Sequence, residues 1–268
     1  MIPKDLQSVY HITLMILAIG YIIKSLETIA ISKTFLPRQP NDWDLVGMDS
    51  LQTGKAYPLF KTLYSRKGVI TLCILTILIS LYLLLAPVNI YFNLLVLLLF
   101  VLQFILHHRQ EFGGDGADQM SFLVLTTFTI CFTFITDSRV HTIGVVFVAA
   151  QLILSYIISG GAKLISTEWR NGTAVQGILS SYTYGTEFTK VLFNKSLFLS
   201  RIMCWMVVAV ELLFPMALFF TDTVFYSAVI MGILLHLSIG VVMGLNDFVW
   251  SFLAAYPSLI FIYITYIH

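Results

Sequence analysis

The chain has 268 residues, of which 58% are hydrophobic and 11% charged, with a formal net charge of +1 and a mean hydropathy of +0.90. There is too little polar surface to cover that much apolar area in water, which excludes a soluble domain and points to a multi-pass membrane protein whose first partner is the lipid bilayer. A near-neutral charge, with no basic run interleaved with aromatics, argues against nucleic acid as a partner.

A bilayer-crossing helix needs about 20 mostly apolar residues, and the chain offers about eight such runs. They lie near 10–31, 69–86, 88–106, 120–136, 140–160, 201–220, 224–244 and 248–267. Such spans satisfy their backbone polar groups internally, so the expected fold class is an all-α bundle of about eight transmembrane helices, with residues 1–268 forming a single membrane domain. The first run lacks a small-residue cleavage site and is interrupted by Lys24 and Glu27, so it is expected to stay as the first membrane helix. Those two residues share a helical face; they either pair with each other or face a polar cavity in the bundle.

The loop from Ser32 to Gly68 holds Pro37, Pro40, Trp43, Pro58 and several charges, and a re-entrant or interfacial piece is expected at residues 43–63. The Ala86-Pro87-Val88-Asn89 turn makes the second and third helices a hairpin. The run His107 to Met120 is the most polar in the chain. Asp115 or Asp118 is suited to cap the fourth helix, and the neighbouring glycines supply the turn before it. His107 and Glu111 share a face if that turn is helical, but no second histidine recurs at ligand spacing and the aspartates have a role as caps, so no metal site is assigned. Cys73, Cys131 and Cys204 each lie inside an apolar run and read as small core residues.

From Tyr156 to Gly177 an apolar helix gives way to Gly160-Gly161, Lys163 and the run Glu168-Trp169-Arg170-Asn171-Gly172. Lys163 taken alone reads as a snorkelling lysine beside an interfacial tryptophan. Residues 179–200 are expected to lie along the membrane surface as a short amphipathic element. Glu211, followed by Pro215, and His236, followed by Gly240 and Gly244, are embedded in the sixth and seventh spans, and Asn246 and Asp247 are expected to cap the eighth. If all eight runs cross, nearly all the lysines and arginines fall on one side, which the positive-inside rule places in the cytoplasm. Asn171-Gly172-Thr173 and Asn194-Lys195-Ser196 match glycosylation acceptors, usable only on an exoplasmic face.

The run Tyr156-Ile-Ile-Ser-Gly160-Gly-Ala-Lys163-Leu164, with Trp169 and Gly172 after it, resembles the motif of the horizontally transferred transmembrane domain. That family includes the membrane part of vitamin K-dependent γ-glutamyl carboxylases. The turn Gly114-Asp115-Gly116-Ala117-Asp118, Glu211 with Pro215, and the His236 to Trp250 region fall in the order expected for it. The resemblance implies a membrane quinone as cofactor, with Lys163 where relatives carry a lysine proposed to deprotonate the hydroquinone. A partly desolvated lysine suits that chemistry. It also implies a polar cavity lined by Lys163, Asp115, Asp118, Glu211 and His236, with Trp169 and Gly160 at the cofactor. Two departures stand out: Asp118 and Gln119 occupy the place of the relatives' catalytic histidine, and the sequence ends at His268 without the extramembrane region that holds the carboxylases' protein substrate.

Bacterial members of the family include small partners in the maturation of exported peptide toxins, which implies a bacterial cell membrane and a protein or peptide partner. Three functions follow for comparison: an enzyme or enzyme subunit that modifies an exported peptide, a non-catalytic membrane adaptor, and a small transporter. Transport is disfavoured because no inverted repeat with paired broken helices is visible. The adaptor expects the polar groups to satisfy one another, as Lys24 with Glu27, Arg170 with Glu168 and Glu211 with His236. The enzyme expects an open cavity with Lys163 unpaired at its end.

Overall fold

The computed structural model describes residues 5–46, 57–109 and 115–267, and among these every regular element is helical. Among the described residues seven helices are long and apolar enough to cross a membrane, which makes the chain an all-α, multi-pass integral membrane protein. The chain divides into two compact units, Tyr10–His141 and Met1–Val9 with Thr142–His268.

In the Tyr10–His141 unit, α1 (Leu6–Ala30) is followed by a 3-10 turn at Ser32–Phe35 and the short helices α2 (Trp43–Val46) and α3 (Tyr57–Leu63). Trp43 is buried, its ring 4.4 Å from that of Tyr64, while residues 47–56 of the re-entrant or interfacial piece expected at 43–63 lie outside the described residues. Helix α4 (Arg66–Leu85) starts at Ser65, whose hydroxyl accepts the Gly68 N–H, and α5 (Ile90–His108) starts at Asn89, whose carbonyl oxygen accepts the Phe92 N–H. Each bond satisfies a donor that the first helical turn leaves open. The two helices pack as the expected hairpin. Gln103 Nε2 donates to Thr76 Oγ1 across their buried face, while Leu78, Leu81 and Leu85 point outward as a lipid-facing surface.

Helix α6 (Gly116–Phe128) is capped as expected by Asp115, whose side chain accepts the N–H groups of Ala117 and Asp118. It runs only 13 residues before a π turn at Thr129–Thr133. With Asp118 and Gln119 in its first turn, this segment is not among the seven candidate spans found among the described residues, against about eight expected.

Helix α7 (Ser138–Ile165) carries the chain into the second unit. There α8 (Thr167–Asn171) ends at Gly172, whose φ of +81° suits a residue without a Cβ. The polar stretch that follows forms α9 (Ala174–Ser180) and α10 (Glu187–Lys195), the latter opened by a capping box between Thr186 and Thr189. Val175, Leu179, Phe193 and Cys204 pack these short helices onto α11 (Leu197–Leu213), which Pro215 terminates by removing a backbone donor.

Helix α12 (Asp222–Met243) turns at Gly244, where φ is +73°, into α13 (Asn246–Leu253). Leu245 holds the cap position of α13, and Asn246 and Asp247 fall in its first turn instead. The last span is broken: α14 (Tyr256–Ile262) begins afresh at Tyr256-Pro257, because proline cannot donate the hydrogen bond a continuous helix needs there.

Candidate functional site

The polar core of the Thr142–His268 unit is built on one face of α7. Tyr156, Ser159, Gly160 and Lys163 are spaced at helical intervals of three and four, so their side chains rise on the same side. Gly160 lets α11 come close. A Cβ at this position would lie 2.9 Å from Leu212 Cδ2 and 3.1 Å from Glu211 Cβ. That approach delivers Glu211 to Lys163, whose Nζ donates to both carboxylate oxygens at 2.9 Å and to Ser159 Oγ. Ser159 in turn donates to Glu211 Oε1 at 3.1 Å. The ammonium also lies 5.2 Å from the centre of the Trp169 ring, within cation–π range. The Lys163 side chain is 20% exposed and that of Glu211 10%.

Two turns back toward the start of α7, a second chain of polar groups runs between helices. Tyr156 Oη lies 3.0 Å from His236 Nε2 on α12 and 2.7 Å from Tyr256 Oη on α14. Gly232, one turn before His236, makes room for both hydroxyls: a Cβ there would sit 2.3 Å from Tyr256 Oη and 2.7 Å from Tyr156 Oη. The His236 ring stacks on Phe252 at 4.1 Å, and its Nδ1 is buried without a hydrogen-bond partner among the described residues.

These contacts correct several expectations. Lys163 is not unpaired at the end of a cavity, because Glu211 and Ser159 take its three N–H groups. Glu211 joins Lys163 rather than His236, and His236 joins Tyr156. Glu168 Oε2 accepts the Ser166 hydroxyl at 2.7 Å, and this bond holds its carboxyl below the usual range. Trp169 lies beside the ammonium and Gly160 admits Glu211, so both residues expected at a cofactor stand at the ion pair.

Asp115 and Asp118 belong to the other unit. Asp115 is occupied as the cap of α6, and Asp118 forms an ion pair with Lys24. Lys24 therefore does face a polar cavity, of about 200 Å³, lined also by Cys73, Gln103, His107 and Arg109. His107 is stacked on Phe122 with ring centres 5.0 Å apart, and Glu111 lies outside the described residues.

Tyr156 and Tyr256 carry the polar chain in the Thr142–His268 unit and were not among the expected site residues. Tyr156 had a readable signal, standing seven residues before Lys163 on the same helical face. Tyr256 had none, because only the break at Pro257 brings it there.

No family model, no curated protein and no solved structure matches this chain.

Proposed function

We infer that the protein is a membrane-embedded partner in the maturation of an exported peptide, working as an assembly component rather than through Lys163 as a base. The observation that carries this reading is the saturation of Lys163 by Glu211 and Ser159. A salt-bridged ammonium offers no lone pair to a hydroquinone hydroxyl, and its N–H groups are already used. The residues around Lys163 therefore do not fit the base of a quinone-linked carboxylase, and we route no step through a quinone. A buried charged pair of this kind ties two membrane helices together and fixes their register. The resemblance of the Tyr156–Gly172 run to the horizontally transferred transmembrane domain supports the peptide-maturation context and, with it, a bacterial cell membrane and a protein partner.

One observation favours a second, catalytic reading. His236 Nδ1 is buried and bare at the end of a Tyr256–Tyr156–His236 chain, the arrangement of a proton relay inside a membrane.

The test replaces the ion pair by apolar residues of similar size, Lys163→Met with Glu211→Leu, and follows peptide maturation in cells together with co-purification of the partner. Retained maturation is expected. Loss of maturation in a protein that still folds and still holds its partner overturns the assembly reading. His236→Phe in the same assay separates the second reading, which expects maturation to stop while the complex persists.

A further inference from the structure

The cavity of the Tyr10–His141 unit lies where α1 and α5 end, where α4 starts and where α6 begins, with Lys24, Val69, Leu106 and Asp118 all on its wall. Three of these helices are candidate membrane spans, so the cavity sits at the level where a bilayer places its headgroups. Its volume of about 200 Å³ exceeds what a single water needs, on the order of 15 Å³. It is below the roughly 300–1,000 Å³ of clefts that enclose a whole drug-sized ligand. One compact polar group fits, with the rest of its molecule outside.

Arg109 decides what that group is. It is 8% exposed and stands directly after the last residue of α5. Its Nε donates to the Tyr64 carbonyl at 3.4 Å and one Nη to the Asn41 carbonyl, while the guanidinium carbon lies 4.3 Å over the Phe35 ring. A guanidinium has five N–H groups, and no carboxylate among the described residues accepts one from Arg109. The acidic group acting on it from nearby is Asp42, whose two oxygens already accept the backbone N–H groups of Arg38 and Asp44. Burial pulls the guanidinium below its ordinary value, opposed by Tyr64 and Asp42. Among the described residues the cavity wall thus holds two cations, Lys24 and Arg109, and one carboxylate, Asp118.

We propose that this cavity binds a phosphate group, held by the planar N–H fork of Arg109 with Lys24 contributing charge. A desolvated arginine whose hydrogen-bond partners among the described residues are carbonyls matches an oxyanion in geometry and charge. Basic pockets between membrane helices at the headgroup level take lipid phosphates in this way. The same chemistry would hold a free phosphate, and the experiment separates the two sources.

The full-length chain in a neutral maltoside detergent is titrated with phosphatidylglycerol, dioleoylglycerol, inorganic phosphate or acetate while its thermal unfolding is followed. Phosphatidylglycerol is expected to raise the unfolding temperature and dioleoylglycerol to leave it unchanged. A parallel response to inorganic phosphate identifies free phosphate as sufficient; its absence identifies the lipid as the source. Arg109→Gln is expected to raise the half-saturating concentration by about tenfold or more, the loss of a charge-assisted hydrogen bond. Asp118→Asn, which removes the competing carboxylate, is expected to lower it. If Arg109→Gln does not fold, Lys24→Gln takes its place, with weaker binding expected. The proposal is overturned by equal responses to phosphatidylglycerol and dioleoylglycerol, by no response to either phosphate source, by acetate acting as well as phosphate, or by unchanged binding in the charge-removing variants.

Discussion

The Nζ of Lys163 is equidistant, at 2.9 Å, from the two carboxylate oxygens of Glu211, 48 residues further along the chain. Removing either partner leaves a charge inside the protein without its counterion. Lys163→Ala and Glu211→Ala are each expected to lower stability by about 3 kcal/mol, whereas Lys163→Met with Glu211→Leu recovers most of that loss because both charges go together. Unfolding in mixed micelles of maltoside and sodium dodecyl sulfate measures all three.

Neighbouring glycines on α7 are expected to respond differently to alanine. At Gly161 an added Cβ meets nothing within 4 Å, so Gly161→Ala should be neutral or stabilising by up to about 1 kcal/mol through helix propensity. At Gly160 the same methyl meets Leu212 and Glu211, so Gly160→Ala should destabilise by about 1 kcal/mol and Gly160→Ile by about 3 kcal/mol. The same unfolding assay ranks them, and equal values at the two positions would remove Gly160 from its role.

Gly232→Ala should be worse than Gly160→Ala. Its methyl would meet two hydroxyl oxygens that are already hydrogen-bonded to each other, so the chain of Tyr156, Tyr256 and His236 must open. A loss of about 2–3 kcal/mol is expected, the scale of leaving buried polar atoms unsatisfied.

Tyr156→Phe and Tyr256→Phe test the same chain from within. Tyr156 bridges two partners and Tyr256 is bonded here to one. The first replacement should cost about 2 kcal/mol and the second about 1 kcal/mol, with the double variant less than their sum because the bond they share is lost only once.

Lys24 and Asp118 offer the comparison in a more accessible setting, with side chains 26% and 14% exposed. A double-mutant cycle with Lys24→Met and Asp118→Asn is expected to give a coupling of about 1 kcal/mol. A value at or above that of the Lys163–Glu211 pair would contradict the ranking by burial.

The class of the fold was legible because long apolar runs leave the backbone no alternative to helices. The caps were legible where a short polar side chain stood before an apolar run, as at Asp115. The failures have physical causes. Residues 120–136 are apolar enough to suggest a crossing, but α6 spends its first turn on Asp118 and Gln119 and then widens into a π turn. On α4 both faces are apolar, so periodicity carries no information about which one meets protein and which meets lipid.

The candidate site was legible as an inventory and not as a set of pairs. Lys163, Glu211 and His236 were each visible as ionisable groups in apolar surroundings, and Asp118 as part of the polar run before α6. Their partners depend on where Gly160 and Gly232 allow helices to meet, and a glycine in a sequence does not say what approaches it. Arg109 was passed over as one more cation at a helix end. Its significance lies in having carbonyls for neighbours, which only the fold supplies.

The separation of 48 residues between Lys163 and Glu211 also imposes an order on biogenesis. At synthesis rates of roughly 5–20 residues per second, Lys163 is added to the chain about 2–10 seconds before Glu211. If α7 enters the bilayer within that interval, Lys163 crosses the boundary before its counterion is made, and its long stem lets the ammonium stay at the lipid boundary. The ion pair is complete only once α11 has been made, so the helix that supplies Glu211 is also the one that neutralises α7.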